Sequence, residues 1–158
     1  MTPSPNCITF IQKHEGLVLH PYLDSAHVAT VGYGTTRYSD GRHVSINDPS
    51  ITPETAFRYL MNDIDPTGVS VSEMVTGLNL NQNMYDSLVS FAYNEGVGAL
   101  HGSTLLKLIK ANPNDPNITA AFLMWDKLHK DGILIEDAGL KQRRKEEAAL
   151  YFTPINSL

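Results

Sequence analysis

Residues 15–35 read EGLVLHPYLDSAHVATVGYGT, and the pattern changes there from helical to extended within a few positions. Ahead of this stretch, Asn6 can cap a helix that runs from about Cys7 to Glu15, and Gly16 can end it. In the residues that follow, β-favouring pieces alternate with turn residues. The stretch therefore predicts a short helix and then a small twisted hairpin or three-stranded sheet.

Helical patterns dominate the rest of the chain. Thr52-Pro53 is a helix start, and Pro66 is expected to break the helix that follows. The strongest apolar periodicity follows Asn81 and predicts a central buried helix that Gly96 and Gly98 stop. Three further helices are predicted: one capped by Ser103 and running through Ile109, one from about Asn117 to Leu128 carrying Trp125, and one from Lys141 to Phe152.

This order of elements predicts an α+β fold with a small sheet-bearing N-terminal lobe and a larger helical C-terminal lobe. We expect a single domain over residues 1–158, with the small lobe at about 12–64 and the helical lobe formed by 1–11 and 65–158. A cleft between two lobes is a usual place for a ligand, so the active site is expected there.

The chain has 158 residues, a net charge of −5 and a single cysteine. The negative charge argues against a general nucleic-acid binder, and one cysteine excludes an intramolecular disulfide. No apolar run approaches the length that crosses a bilayer, and the first residues show neither the basic start nor the apolar stretch of a signal peptide.

Glu15 is the first candidate for chemistry. It follows Ile8 and Ile11 at helical spacing, so its carboxyl lies on the apolar stripe of the helix and in the last turn. Partial burial and the negative end of the helix dipole should both raise its pKa, as a general acid requires. A glutamate at the edge of the core, paired with an arginine, has the same features, and both interpretations stay open.

Asp24 is the second candidate, nine positions later in a turn-like setting that should keep it ionised. Two carboxyls whose environments separate their pKa values form the acid-and-base pattern of glycosidases. Thr30, six positions further, could hold a water molecule by its hydroxyl. Taken singly, an aspartate in a turn or a threonine in a strand is usually structural.

The spacing of Glu15, Asp24 and Thr30, with Gly32–Thr35 after them, resembles the signature of the phage-type lysozymes or endolysins, glycoside hydrolase family 24, whose type member is the T-even phage lysozyme. Glu95 departs from the family pattern, because an apolar side chain is commoner at that position. The resemblance continues through Phe91–Asn94, Gly96, Gly98, Ser103–Leu106, Trp125, Gly139–Leu140, Arg143–Arg144 and Glu147.

This resemblance implies a muramidase that cuts the β-1,4 bond between N-acetylmuramic acid and N-acetylglucosamine in peptidoglycan. Glu15 is then the general acid, Asp24 activates a water on the opposite face, and Thr30 helps to place that water. Inversion is expected, with the two carboxyls roughly 6.5–9.5 Å apart. Arg143 or Arg144 is expected to pair with Glu15, with a solvated basic helix face as the competing interpretation. Substrate contacts are expected from Tyr22, Gly34, Thr36, Tyr93 and Ser103.

No metal or organic cofactor is expected. His14-Glu15 starts like a zinc-protease motif, but Val18 stands where the second histidine is needed. Asp63 and Asp65 start like a calcium loop, but Met74 stands in place of its closing glutamate.

Two other functions compete with hydrolysis: a lytic transglycosylase, which cleaves the same bond with one acid, and a non-catalytic peptidoglycan-binding module. We expect a monomer that acts on the cell wall without stable membrane insertion or nucleic-acid contact. Synthesis in the host bacterial cytoplasm and release by a holin-like protein fit an endolysin for host cell lysis. An exported bacterial effector is the alternative origin.

Overall fold

The computed structural model describes residues 1–130 and 132–155. Its elements within those ranges are helices α1 (Pro5–Glu15), α2 (Pro53–Met74), α3 (Gln82–Glu95), α4 (Val97–Gly102), α5 (Thr104–Ala111), α6 (Asn117–Leu123) and α7 (Ala138–Tyr151), and strands β1 (Val18–Leu23), β2 (Ala29–Gly32), β3 (Lys127–Lys130) and β4 (Ile133–Glu136). The predicted α+β class is confirmed. None of the helices in the described ranges combines the length and the apolar character needed to cross a membrane.

The residues form two compact units. The first unit is Ile8–Pro66, and the second unit is Met1–Cys7 together with Thr67–Leu158. That both belong to one domain stays a prediction.

Helix α1 begins at Pro5, two residues earlier than predicted, and its cap is Ser4. The Ser4 hydroxyl oxygen accepts a hydrogen bond from the Cys7 N–H at 3.2 Å. The prediction that Asn6 caps this helix is wrong, because Pro5 suits the first helical position and moves the cap to the residue before it. The predicted stop is confirmed: Gly16 has φ of +71° and donates to the Gln12 carbonyl at 3.1 Å.

The first unit contains a two-stranded antiparallel sheet. Strands β1 and β2 pair Tyr22 with Thr30 and Leu23 with Ala29, with an irregularity between Val18 and Tyr22. Isolated bridges join Val31 to Thr35 and Arg37 to His43. Of the two predicted forms, the hairpin is the one observed among the described residues.

Helix α2 continues through Pro66, so the predicted break is wrong. A proline inside a helix removes the N–H that would bind the carbonyl four residues earlier, here that of Asn62. Asn62 and Pro66 are both exposed, so solvent can satisfy the released carbonyl.

Helix α3 is the buried helix predicted from the periodicity, and nine consecutive residues from Met84 to Ala92 are buried. Asn81 caps it by accepting from the Met84 N–H at 2.9 Å. Gly96, with φ of +98°, ends it, whereas Gly98 lies inside α4. The role predicted for Gly98 as a stop is therefore wrong.

The segment after Phe122 differs most from the prediction. Helix α6 ends at Leu123, and strands β3 and β4 pair as an antiparallel hairpin in place of the predicted helical continuation to Leu128. Gly132 takes φ of +76° in its turn, and the Asp137 N–H closes its base on the Asp126 carbonyl at 2.8 Å.

Helix α7 starts three residues before the predicted Lys141. Asp137 caps it, because its carboxylate accepts from the Leu140 N–H at 2.8 Å.

Two helical glycines of the second unit differ in the space around them. A Cβ added at Gly68 would lie 2.7 and 2.8 Å from Pro3 ring carbons and 3.1 Å from the Tyr85 hydroxyl oxygen, whereas one added at Gly98 would meet no atom within 4 Å. We expect Gly68→Ala to lower the free energy of unfolding by about 1–3 kcal/mol through overpacking. Gly98→Ala should raise it by up to about 1 kcal/mol, because alanine loses less chain entropy.

Urea unfolding of the two variants and the wild type measures this difference. If the free energy of unfolding changes equally and in the same direction in both variants, Pro3 and Tyr85 do not restrict a side chain at position 68.

Candidate active site

Glu15 is the last residue of α1 and is partly buried. The backbone of Gly34 lies against it: a Cβ built at Gly34 would be 3.4 Å from Glu15 Oε2. Gly34 has φ of +89°, a conformation that side-chain-bearing residues rarely adopt. A side chain at position 34 would therefore adopt a strained backbone conformation and contact the Glu15 carboxyl.

Asp24 follows β1 directly and holds the turn into β2. Its Oδ1 accepts hydrogen bonds from the N–H groups of Ala26 and Val28, both at 2.8 Å. Its own N–H donates to the Val28 carbonyl at 3.0 Å, and its carbonyl accepts from His27, which has φ of +59°. The carboxylate is therefore fixed in orientation by the turn, and its Oδ2 accepts no hydrogen bond from the described residues.

Thr30 lies opposite Tyr22 in the register, with 3% of its surface exposed. Its hydroxyl donates to the Val28 carbonyl at 2.9 Å. That carbonyl also accepts from the Asp24 N–H. One residue, Val28, therefore ties Asp24 and Thr30 together through its N–H and its C=O.

Because the Thr30 hydroxyl has one proton and gives it to Val28, its oxygen is left as an acceptor. Sequence reasoning missed Val28, since residue type says nothing about a backbone group. The available signal was Asp24 itself, because aspartate readily bonds backbone N–H groups of a following turn.

The other predicted substrate residues fall in both units. Tyr22, Gly34 and Thr36 belong to the first unit with Glu15, Asp24 and Thr30, whereas Tyr93 and Ser103 belong to the second. The Ser103 hydroxyl accepts from the Leu106 N–H at 3.0 Å and donates to the Leu100 carbonyl at 2.7 Å, so it caps α5. Substrate contact by these five residues stays a prediction.

Arg143 and Arg144 are buried, with 4% and 0% of their surfaces exposed, so the solvated basic face is wrong. Both guanidiniums face Glu147: Arg143 Nε lies 3.2 Å from Oε1, and Arg144 Nε lies 2.9 Å from Oε2. The Ser90 hydroxyl donates to Oε1 at 2.7 Å. Burial raises the pKa of Glu147, and the arginines and the hydrogen bond act in the opposite direction.

Arg144 also reaches the end of α3. It donates to Glu95 Oε1 at 2.9 Å and to Asn94 Oδ1 at 2.7 Å, and its guanidinium lies 4.9 Å from the centre of the Phe91 ring. These contacts join α7 to α3 inside the second unit. Pairing of either arginine with Glu15 stays a prediction.

The family model described as "Phage lysozyme" matches residues 12–147. The endolysin of Salmonella phage P22 is 36% identical over 153 residues, which cover 97% of this chain and 99% of that protein. A solved endolysin from Escherichia coli O157:H7 phage FAHEc1 superposes with a TM-score of 0.90 at 36% identity, covering 96% of this chain and 94% of that one.

The muramidase domain of SpmX from Asticaccaulis excentricus superposes with a TM-score of 0.80 at 27% identity, covering 96% of this chain and 97% of that domain. These structures confirm the lysozyme-like fold.

The buried charge cluster around Glu147 gives a stability prediction. Glu147→Gln removes the carboxylate that both buried guanidiniums face. Because this leaves buried positive charge uncompensated, we expect the free energy of unfolding to fall by about 3 kcal/mol or more. Urea denaturation followed by circular dichroism measures it.

Glu136→Gln is the matched control, because Glu136 pairs with Lys141 at 2.6 Å with both side chains exposed. Its midpoint should match that of the wild type. Equal destabilisation by the two substitutions would contradict the prediction that burial of the Glu147 ion pairs causes the loss of stability.

Proposed function

Since the chain belongs to the phage lysozyme family, we infer that it is a lysozyme that hydrolyses bacterial peptidoglycan and acts on the cell wall as an endolysin. The bond proposed is the β-1,4 link between N-acetylmuramic acid and N-acetylglucosamine. The observation that carries the mechanism is the joint attachment of Asp24 and Thr30 to Val28.

Glu15 is the proposed general acid. It donates its proton to the glycosidic oxygen as that bond breaks, so the leaving sugar departs as an alcohol. Its support is the partial burial of the side chain and its place at the end of α1, beside the backbone of Gly34.

Asp24 and Thr30 are proposed to hold the attacking water. Asp24 Oδ2 accepts one water proton, and the Thr30 oxygen accepts a hydrogen bond from the other. With both protons held, the lone pair of the water is left for the anomeric carbon. Asp24 takes up the proton as the new C–O bond forms, and solvent exchange then returns the proton to Glu15. Attack from the face opposite the leaving group inverts the anomeric centre.

This arrangement favours hydrolysis over the two competing functions. A lytic transglycosylase needs one acid and no base for an incoming water, and a binding module needs neither. The hydrogen bonds that fix Asp24, together with the acceptor oxygen of Thr30, supply the parts that only a hydrolase uses.

Host cell lysis is the proposed setting. We propose synthesis in the host bacterial cytoplasm, passage to the wall through lesions made by a holin-like protein, and action as a monomer. The similarity to endolysins of phages supports this setting over that of an exported bacterial effector.

Glu15→Gln should reduce clearing of purified cell walls by about 100-fold or more, because the amide cannot donate the proton. Turbidity loss of a peptidoglycan suspension measures the rate. The variant should keep the wild-type circular dichroism spectrum. Glu54→Gln is the control, since Glu54 is an exposed carboxylate of the same unit. Unchanged clearing by Glu15→Gln would remove Glu15 from the mechanism.

The products distinguish the chemistry. Mass spectrometry of a complete digest should show N-acetylmuramic acid at new reducing ends, each carrying the elements of water. Proton NMR during the first minutes should show the α-anomer forming before mutarotation, as inversion requires. Anhydromuramic ends would establish a transglycosylase, and an initial β-anomer would establish retention.

A further inference from the structure

The turn that carries Asp24 is a three-residue hairpin loop, formed by residues 25–27 between Asp24 and Val28. The Asp24 N–H donates to the Val28 carbonyl at 3.0 Å, and the His27 N–H donates to the Asp24 carbonyl at 3.0 Å. Loops of this kind end with a residue in the left-handed conformation, where glycine is preferred. His27 occupies that position with φ of +59°, and within residues 1–130 and 132–155 it is the one residue other than glycine with a positive φ.

The left-handed residue determines where the Val28 N–H points. In a regular hydrogen-bonded pair of antiparallel strands, the two residues exchange both of their N–H···O bonds. Between Asp24 and Val28 one of these bonds is kept, and the Asp24 carbonyl accepts from His27 in place of Val28. The Val28 N–H donates to the Asp24 carboxylate, 2.8 Å from Oδ1. The extra residue thus re-aims a ladder N–H at a side chain, as β-bulges do.

Distance excludes an extended chain through this point. The N atoms of Ala26 and Val28 both lie 2.8 Å from Asp24 Oδ1, so they are no further apart than twice that distance. An extended chain through Ala26 and His27 would separate them by roughly 6.6 Å. The two hydrogen bonds that fix the carboxylate therefore depend on the backbone conformation at position 27.

A second loop of the first unit has the same form. The Tyr38 N–H donates to the Arg42 carbonyl at 2.9 Å, and the Gly41 N–H donates to the Tyr38 carbonyl at 2.9 Å. Gly41 is the left-handed residue here, with φ of +87°, and a Cβ added to it would meet no atom within 4 Å. The Arg42 N–H that follows donates to Asp40 Oδ1 at 2.9 Å. This loop has the same backbone pattern without a proposed catalytic group.

We propose that His27 is a positioning residue for hydrolysis, because its left-handed backbone directs the Val28 N–H to Asp24 and so holds the base in place. The imidazole itself is exposed and is not required. Glycine, asparagine and histidine tolerate the left-handed conformation, whereas a β-branched residue there is an outlier. Activity should therefore follow the conformational preference of the residue at position 27. This proposal rests on Asp24 being the base, as proposed above.

Substitutions at position 27 separate the backbone from the imidazole. On soluble glycan strands prepared from peptidoglycan, His27→Gly and His27→Asn should keep kcat within about twofold of the wild type. His27→Val should lower kcat by about tenfold or more and change KM by about twofold at most, because a misplaced base affects the reacting step and not glycan binding. Release of new reducing ends measures both constants. His27→Ala should give a smaller loss and serves if His27→Val does not fold.

Gly41→Val is the matched control, because it puts the same unfavourable conformation into the other loop. Both valine variants should lower the urea midpoint, and Gly41→Val should keep the kcat of the wild type. Equal loss of kcat in the two valine variants, or full kcat in His27→Val, would overturn the proposal. Loss of kcat in His27→Gly and His27→Asn would assign the role to the imidazole and overturn it as well.

A second measurement does not depend on activity. In amide NMR spectra of the full chain recorded during acid titration, the Val28 N–H signal should respond to protonation of Asp24 in the wild type and in His27→Gly. This response should be lost in His27→Val. The Ala26 N–H, which binds the same oxygen from within the turn, should respond in all three proteins and is the internal reference.

A Val28 response that persists in His27→Val would overturn the role given to position 27. A wild type that hydrolyses no glycan would overturn the proposed function, and the amide spectra would still decide whether residue 27 orients Asp24.

Discussion

Two hydrogen-bonding groups of one residue, the N–H and the C=O of Val28, set the geometry on which the chemistry proposed for the first unit depends. The N–H donates to the Asp24 carboxylate and orients it, and the C=O accepts the proton of the Thr30 hydroxyl. Backbone groups of a short, closed turn hold such an arrangement better than side chains do, because they have no rotamers to lose. The strand pairing of Tyr22 with Thr30 keeps the turn closed.

The second unit is organised by charge in its interior. Two arginines and a glutamate on one helix would be a solvated surface in most sequences, yet here they are buried together with Ser90 and reach Glu95. A buried ion pair is stable only when its charges have several partners, and Glu147 has them. The same contacts fix the Glu95 carboxylate at the end of α3.

The sequence was sufficient for the fold class, the buried helix after Asn81 and the cap at Ser103, because these depend on local periodicity and on one side chain. The family and its peptidoglycan-hydrolysing activity, expected from the spacing of Glu15, Asp24 and Thr30, are confirmed by the relatives. Pro66 and the β3–β4 hairpin were not predictable in this way. Helix α2 continues through Pro66 because the released carbonyl is exposed to solvent. The hairpin depends on backbone pairing between β3 and β4 and on a glycine in the turn. The roles of the site residues stay predictions, since they depend on bound substrate.

The β3–β4 hairpin has a consequence for handling the protein. It presents Ile133, Leu134 and Ile135 with 65%, 53% and 40% of their surfaces exposed, on a ladder of only two strands. Such a ladder has open edges that can add a strand from another molecule, and the exposed Lys127 on the neighbouring strand opposes this by charge repulsion. Salt screens that repulsion and leaves the apolar strand unchanged. Concentrated stocks therefore remain dispersed best at low ionic strength.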